Sequence, residues 1–121
     1  TLKIKNFLIF PGSEGKLLKG LEIGCSGIIT ATCNVTSALA RKVYDDFYQG
    51  NNQTVNEKLC KVREVFEKYN LISALHTFMS KKDKMYENIL PILSLLSQND
   101  EKKLFEELDK LDFNINNLGI T

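Results

Sequence analysis

The chain has 121 residues, 43% hydrophobic and 26% charged, the proportions of an ordinary globular domain or of a piece of a larger one. Sixteen basic residues against fifteen acidic ones leave a net charge of +1, so composition supplies no electrostatic footprint for nucleic acid or for an anionic membrane. Cys25, Cys33 and Cys60 are odd in number and lack C-x-x-C spacing, which argues against a zinc site or a disulfide framework and for reduced cytoplasmic thiols packed as small hydrophobes. No apolar run reaches membrane-spanning length. The chain opens on Thr1 rather than Met, as a processed or truncated product would.

In chain order, Phe7 to Phe10 is a wholly apolar run stopped by Pro11-Gly12, the pattern of a short strand buried on both faces. Ser13 is placed to cap a helix, with Glu14 favourable in its first turn. Leu17, Leu18 and Leu21 give that helix one apolar face, and Gly24 is its expected stop. Gly27 to Ala31 reads as a second buried strand. Strand, short helix and strand make a βαβ unit, so the two strands are expected to be parallel neighbours.

From Asn34 onward the periodicity is helical. Thr36 or Ser37 is the expected cap of a helix carrying Leu39, Val43 and Phe47, with Gly50 as its end. Thr54-Val55-Asn56-Glu57 has the form of a capping box, opening a helix with Val55, Leu59, Val62, Phe66 and Tyr69 on one side. A further helix is expected from Leu71 to Met79 with Leu71, Leu75 and Phe78 inward. Lys81 to Lys84 reads as a solvated loop, and Ser97 to Asp100 can cap a last helix on which Leu104, Leu108 and Leu111 repeat. The tail from Asn114 is expected to fray.

Two parallel strands do not make an independent sheet, and strands apolar at consecutive positions expect cover on both faces. The first third of the chain therefore reads as the last two strands of a larger parallel sheet whose other strands precede Thr1.

The segment Gly24-Cys25-Ser26-Gly27-Ile28-Ile29-Thr30-Ala31-Thr32-Cys33-Asn34 resembles the last barrel strand of the dihydrodipicolinate synthase and N-acetylneuraminate lyase family, whose pattern runs G-x-x-G-x-I-[ST]-x-x-x-N. Phe10 to Glu14 is similar to the end of the preceding strand, Tyr48 to Asn51 to the close of the eighth helix, and Ile72 to Leu75 with Leu90-Pro91 to the C-terminal helical extension and its proline-containing link. The resemblance spans nearly the whole chain from Phe7. It implies an α/β fold: the C-terminal part of a (β/α)₈ TIM barrel, with the last two βα units in residues 1–50 and a helical extension in residues 51–121.

The same resemblance implies a pyruvate-dependent aldolase or lyase without a cofactor, commonly a tetramer, acting on pyruvate and an aldehyde. A lysine on the sixth strand forms a Schiff base, and the protonated imine is the electron sink that lets the neighbouring carbon act as an enamine. By position that lysine and its activating tyrosine fall upstream of Thr1; Lys3 and Lys5 precede the seventh strand and match neither. The chain alone is thus expected to hold no catalytic residue and to be inactive. Carried over by position, Ile29 lines the pyruvate pocket, Thr30 beside it is substrate-binding, and Gly12 and Glu14 match positions that meet the second substrate in some members. Plainer roles stand beside these: barrel core for Ile29, a helix N-terminus for Glu14, and a backbone hydrogen bond in the loop for Asn34. Ser13 and Tyr86 to Asn88 depart from the family pattern, which leaves the aldehyde unspecified.

Gly12 to Lys16 has the wrong glycine spacing for a phosphate loop. His76 has no partner at a useful spacing and reads as a surface or interface residue. Adjacent carboxylates such as Asp45-Asp46 point apart on a helix and form no dyad. The competing reading is a non-catalytic assembly or interaction module that uses the amphipathic helices of residues 54–69 and 97–111.

Overall fold

The computed structural model describes residues 5–119. Among these residues five α-helices form, α1 (Leu17–Glu22), α2 (Cys33–Gln49), α3 (Asn56–Glu67), α4 (Leu71–Ser80) and α5 (Gln98–Lys110), with 3₁₀ turns at Glu14–Lys16 and Lys84–Glu87. Their apolar faces meet in one core. Leu17 and Leu21 of α1 join Val35, Leu39 and Val43 of α2, Leu59, Val62 and Phe66 of α3, Phe78 of α4, and Leu104 and Leu108 of α5. These residues recur at the three- and four-residue steps read from the sequence, which is why each helix turns one stripe inward.

The expected strands are the main departure. Residues 7–10 and 26–30 run side by side, yet no strand forms among the described residues. The Ser26 N–H donates to Ile9 O at 2.9 Å and the Ile29 N–H to Pro11 O at 3.2 Å. Both bonds advance the same way along the two segments, the parallel sense, but two bonds do not make a ladder and Pro11 has no N–H to extend it. Phe7, Leu8 and Ile29 are 60%, 69% and 72% exposed where burial on both faces was expected. A strand apolar on both faces is buried only when neighbouring strands and helices cover it; of the second run, Ile28 packs against the helical core.

Helix starts also differ in detail. The Ser13 hydroxyl caps as expected, accepting from the Gly15 N–H at 3.3 Å, and the Ile23–Gly24 turn closes α1, with Gly24 at φ 100°. Helix α2 starts at Cys33, ahead of the expected Thr36 or Ser37 cap, because the Thr36 hydroxyl is drawn inward to Glu14 and to Thr32 O. Gly50 ends it in the left-handed region at φ 71°, a conformation glycine adopts without a Cβ penalty. The Thr54–Glu57 capping box does not form: α3 follows Val55 with no side-chain cap. Helices α4 and α5 are capped by Asn70, which accepts from the Ser73 N–H at 3.1 Å, and by Ser97, which accepts from the Asp100 N–H at 3.2 Å.

The C-terminal segment is packed rather than frayed. Phe113 is fully buried, Asn114 and Asn117 exchange backbone hydrogen bonds of 2.8 and 3.0 Å, and Gly119 lies against Leu39, where a Cβ would come within 2.9 Å of that side chain. Residues 120 and 121, and the Lys3 considered above, lie outside the described residues. Lys81 to Lys84 is exposed as expected, and none of the described helices is long and apolar enough to cross a membrane.

Candidate active site

The four site residues read from the sequence come together in two pairs, one open and one turned inward. The open pair is Gly12 and Ile29. The Ile29 side chain is exposed, and a Cβ built on Gly12 would meet Ile29 O at 4.0 Å. Bare backbone at Gly12 and the outward Ile29 side chain thus share one face at the ends of the two extended segments. Ala31 and Asn34 follow directly and form one wall of a groove of about 320 Å³ whose other wall includes Ile72, His76, Met79 and Tyr86. The Asn34 amide donates to Ala31 O at 2.8 Å, a backbone bond within the loop. His76 is half-buried, with Nδ1 2.8 Å from Tyr86 O, so it ties the 3₁₀ turn after α4 to that helix.

The inward pair is Glu14, which is buried, and Thr30, which is half-buried. Glu14 has no exposed surface. Its Oε1 accepts from the hydroxyls of Thr30 at 2.8 Å, of Thr36 at 2.9 Å and of Thr32. Its Oε2 accepts from Nη1 of Arg63 on α3 at 3.0 Å, and the same Nη1 donates to Thr32 Oγ1 at 2.8 Å. The Arg63 Nε turns outward to Glu67. Glu14 therefore does not face the open groove, and neither does the Thr30 hydroxyl, whose proton goes to Glu14 while its oxygen accepts the Cys33 N–H at 3.1 Å. Alternation along an extended segment places Ile29 outward and Thr30 inward.

Burial alone would push the Glu14 carboxyl up, but hydrogen bonds to its charged form from Thr32, Thr30, its own backbone N–H and Thr36 outweigh that and hold it below its ordinary value. Glu14 is thus a permanent anion at neutral pH and no proton donor. Burial raises the Cys33 thiol, against the opposing bonds to Thr30 and Thr36, which leaves it a neutral packing group rather than a nucleophile. Lys5 is exposed at the start of the described residues.

Arg63 is the residue that reading the sequence missed. The signal was available: on α3 it follows Leu59 by four residues and precedes Phe66 by three, so it is a cation on the buried stripe. A charge at such a position needs a partner, and Glu14 is that partner from 49 residues away.

A glycine and a branched residue thus stand exposed at the ends of two extended segments that run in the parallel sense. Residues 2–110 match the model of the dihydrodipicolinate synthetase family, and the chain belongs to that family. It is similar to an uncharacterized DapA-like lyase of Chloroflexus aurantiacus, 31% identical over 94 residues, which cover 77% of this chain and 31% of that protein. An uncharacterized DapA-like lyase of Halobacterium salinarum is 32% identical over 54 residues, 45% of this chain and 18% of that protein. The chain thus spans about a third, or less, of the length of these curated relatives. No solved structure gives a significant match.

Proposed function

We propose that this chain is the C-terminal part of a pyruvate-dependent lyase or aldolase that works through a Schiff base. The observation that carries the reading is the family match over residues 2–110, together with the open Gly12–Ile29 face where the family presents its substrate. In the proposed reaction a lysine on the preceding part of the polypeptide attacks C2 of pyruvate, water leaves, and the protonated imine forms. Loss of a proton from C3 gives the enamine, whose C3 attacks the aldehyde carbon; the aldehyde oxygen takes up a proton, and water then releases the product and regenerates the amine. Cleavage is the same sequence reversed. Dihydrodipicolinate synthase-like chemistry is the preferred form.

In this scheme residues 1–50 are the last two βα units of a (β/α)₈ barrel and residues 51–121 a helical extension. Ile29 and Gly12 face pyruvate and the aldehyde, while Thr30 and Glu14 act from behind. The protein works in the cytoplasm as a homo-oligomer, a dimer or tetramer assembled through the barrel and the C-terminal helices, and needs no cofactor. The family match favours this reading over a purely structural assembly module.

The test is turnover. The complete polypeptide that contains this chain is assayed for pyruvate consumption with a panel of aldehydes beside the 121-residue chain. The expected outcome is aldehyde-dependent consumption by the complete polypeptide alone. Consumption by neither, or by the 121-residue chain, contradicts the proposal.

A further inference from the structure

The Glu14–Arg63 pair joins parts of the chain that are far apart in sequence. Glu14 opens the 3₁₀ turn after the first extended segment, Thr30 and Thr32 bracket the end of the second, Thr36 is in the first turn of α2, and Arg63 lies in the middle of α3. Every one of these side chains converges on a single carboxylate, and the Arg63 Nη1 is shared between that carboxylate and Thr32. Cohesion alone does not require such a device, because well-packed apolar side chains of similar volume often stabilise a fold as well as a buried ion pair does. What the directional bonds add is geometry. With Thr30 and Thr32 both held, the rotation of the segment between Ile28 and Cys33 is fixed, and so is the direction in which Ile29 and Ala31 point.

We propose that Arg63 and Glu14 are positioning residues, a clamp by which a helix of the C-terminal extension sets the orientation of the Ile29–Ala31 substrate wall. The inference rests on the lyase reading and deepens it, by making the helical extension part of the machinery that shapes the pyruvate site. Neither residue touches the reacting atoms in this scheme. Arg63 acts through Glu14 and Thr32, and Glu14 through the threonine hydroxyls.

The test uses the complete polypeptide and three forms of it: unchanged, Arg63→Met and Arg63→Lys. Each is incubated with graded pyruvate, trapped with borohydride and weighed intact; kcat and KM are then measured with the aldehyde it turns over. Thermal melting of each form separates lost folding from lost positioning. A loosened wall raises the pyruvate concentration for half-trapping and the KM in Arg63→Met on the order of tenfold, with a much smaller change in kcat at saturation, misplacement of a binding wall being costly even at a distance. Arg63→Lys, which keeps a cation within reach of Glu14 but lacks the planar guanidinium whose Nε is held by Glu67 while Nη1 serves Glu14 and Thr32, recovers part of the loss. If Arg63→Met does not fold, Arg63→Lys decides the question by its own rise in KM, about threefold. A folded Arg63→Met, or failing that a folded Arg63→Lys, with pyruvate trapping and KM unchanged while the unchanged protein traps pyruvate overturns the clamp and leaves the lyase reading intact. No adduct on the unchanged protein overturns the lyase reading and this role with it.

Discussion

At the scale of single residues, Glu14 decides most. A carboxylate with no exposed surface is tolerated because three hydroxyls and a guanidinium satisfy it. Removing one partner leaves the other buried and uncompensated, the expensive way to lose an ion pair. Glu14→Gln is therefore expected to cost about 3 kcal/mol at neutral pH, the low end of the range for a broken buried pair because Arg63 keeps Glu67. The folded carboxyl lies below its ordinary value, so its contribution is fully present above the unfolded value of about 4.3 and is lost as pH falls through the folded one. Urea unfolding from pH 7 downward should show the gap between the parent and Glu14→Gln narrowing below about pH 4. A gap independent of pH would contradict the account.

The sequence reading named Glu14 and Thr30 but not the direction in which they face. Substrate contact was expected from their place at the segment ends, and the structure turns both inward. The reason lies in α3: nothing local to Glu14 announces that a cation from residue 63 will reach it. Gly12 was easier to place, since the Pro11-Gly12 turn fixes its exposure locally, whereas Ile29, expected in a strand buried on both faces, is 72% exposed for want of the cover that such a strand needs.

At the scale of elements, the helices obeyed their periodicity and the caps did not always obey theirs. Leu59, Val62 and Phe66 are fully buried, as are Leu104 and Leu108, because the three-to-four spacing survives any shift of helix start. The Thr54–Glu57 box did not form, and Glu57 pairs with Lys61 one turn on instead; α2 began early, with the Thr36 hydroxyl bound to Glu14. The aromatic contacts hold the last two helices to the rest. Phe78 of α4 meets Phe66 edge-on at 5.5 Å and stacks on Phe105 and Phe113 at 5.9 and 5.7 Å. Offset and edge-to-face pairs add to the area that such rings bury. Phe78→Ala is expected to cost about 3–5 kcal/mol, read as a fall in urea midpoint with an unchanged slope. A loss below about 1 kcal/mol would mean that the ring cluster is not where the helices are joined.

At the scale of the whole molecule, the two ends of the chain behave differently. The helices from Leu17 onward close one core, down to a buried Phe113 near the end of the chain. The first part leaves Phe7, Leu8, Phe10 and Ile29 on the surface beside two backbone hydrogen bonds that start a parallel pairing and do not extend it. Consecutive apolar residues signalled strands in a covered sheet, and here the cover is not among the described residues; periodicity is local, whereas sheet formation depends on partners the pattern cannot supply. The proposed barrel accounts for that face: the neighbouring strands would pair the segments, and the lysine of the sixth strand would approach the Gly12–Ile29 wall.

That claim is tested most directly by trapping the imine. The complete polypeptide and the 121-residue chain are each incubated with pyruvate, reduced with borohydride and weighed intact, and the modified lysine is located by peptide mapping. One reduced pyruvate adduct is expected on the complete polypeptide, on a lysine upstream of Thr1, and none on the 121-residue chain. An unmodified complete polypeptide, or an adduct on a lysine within this chain, would contradict the claim.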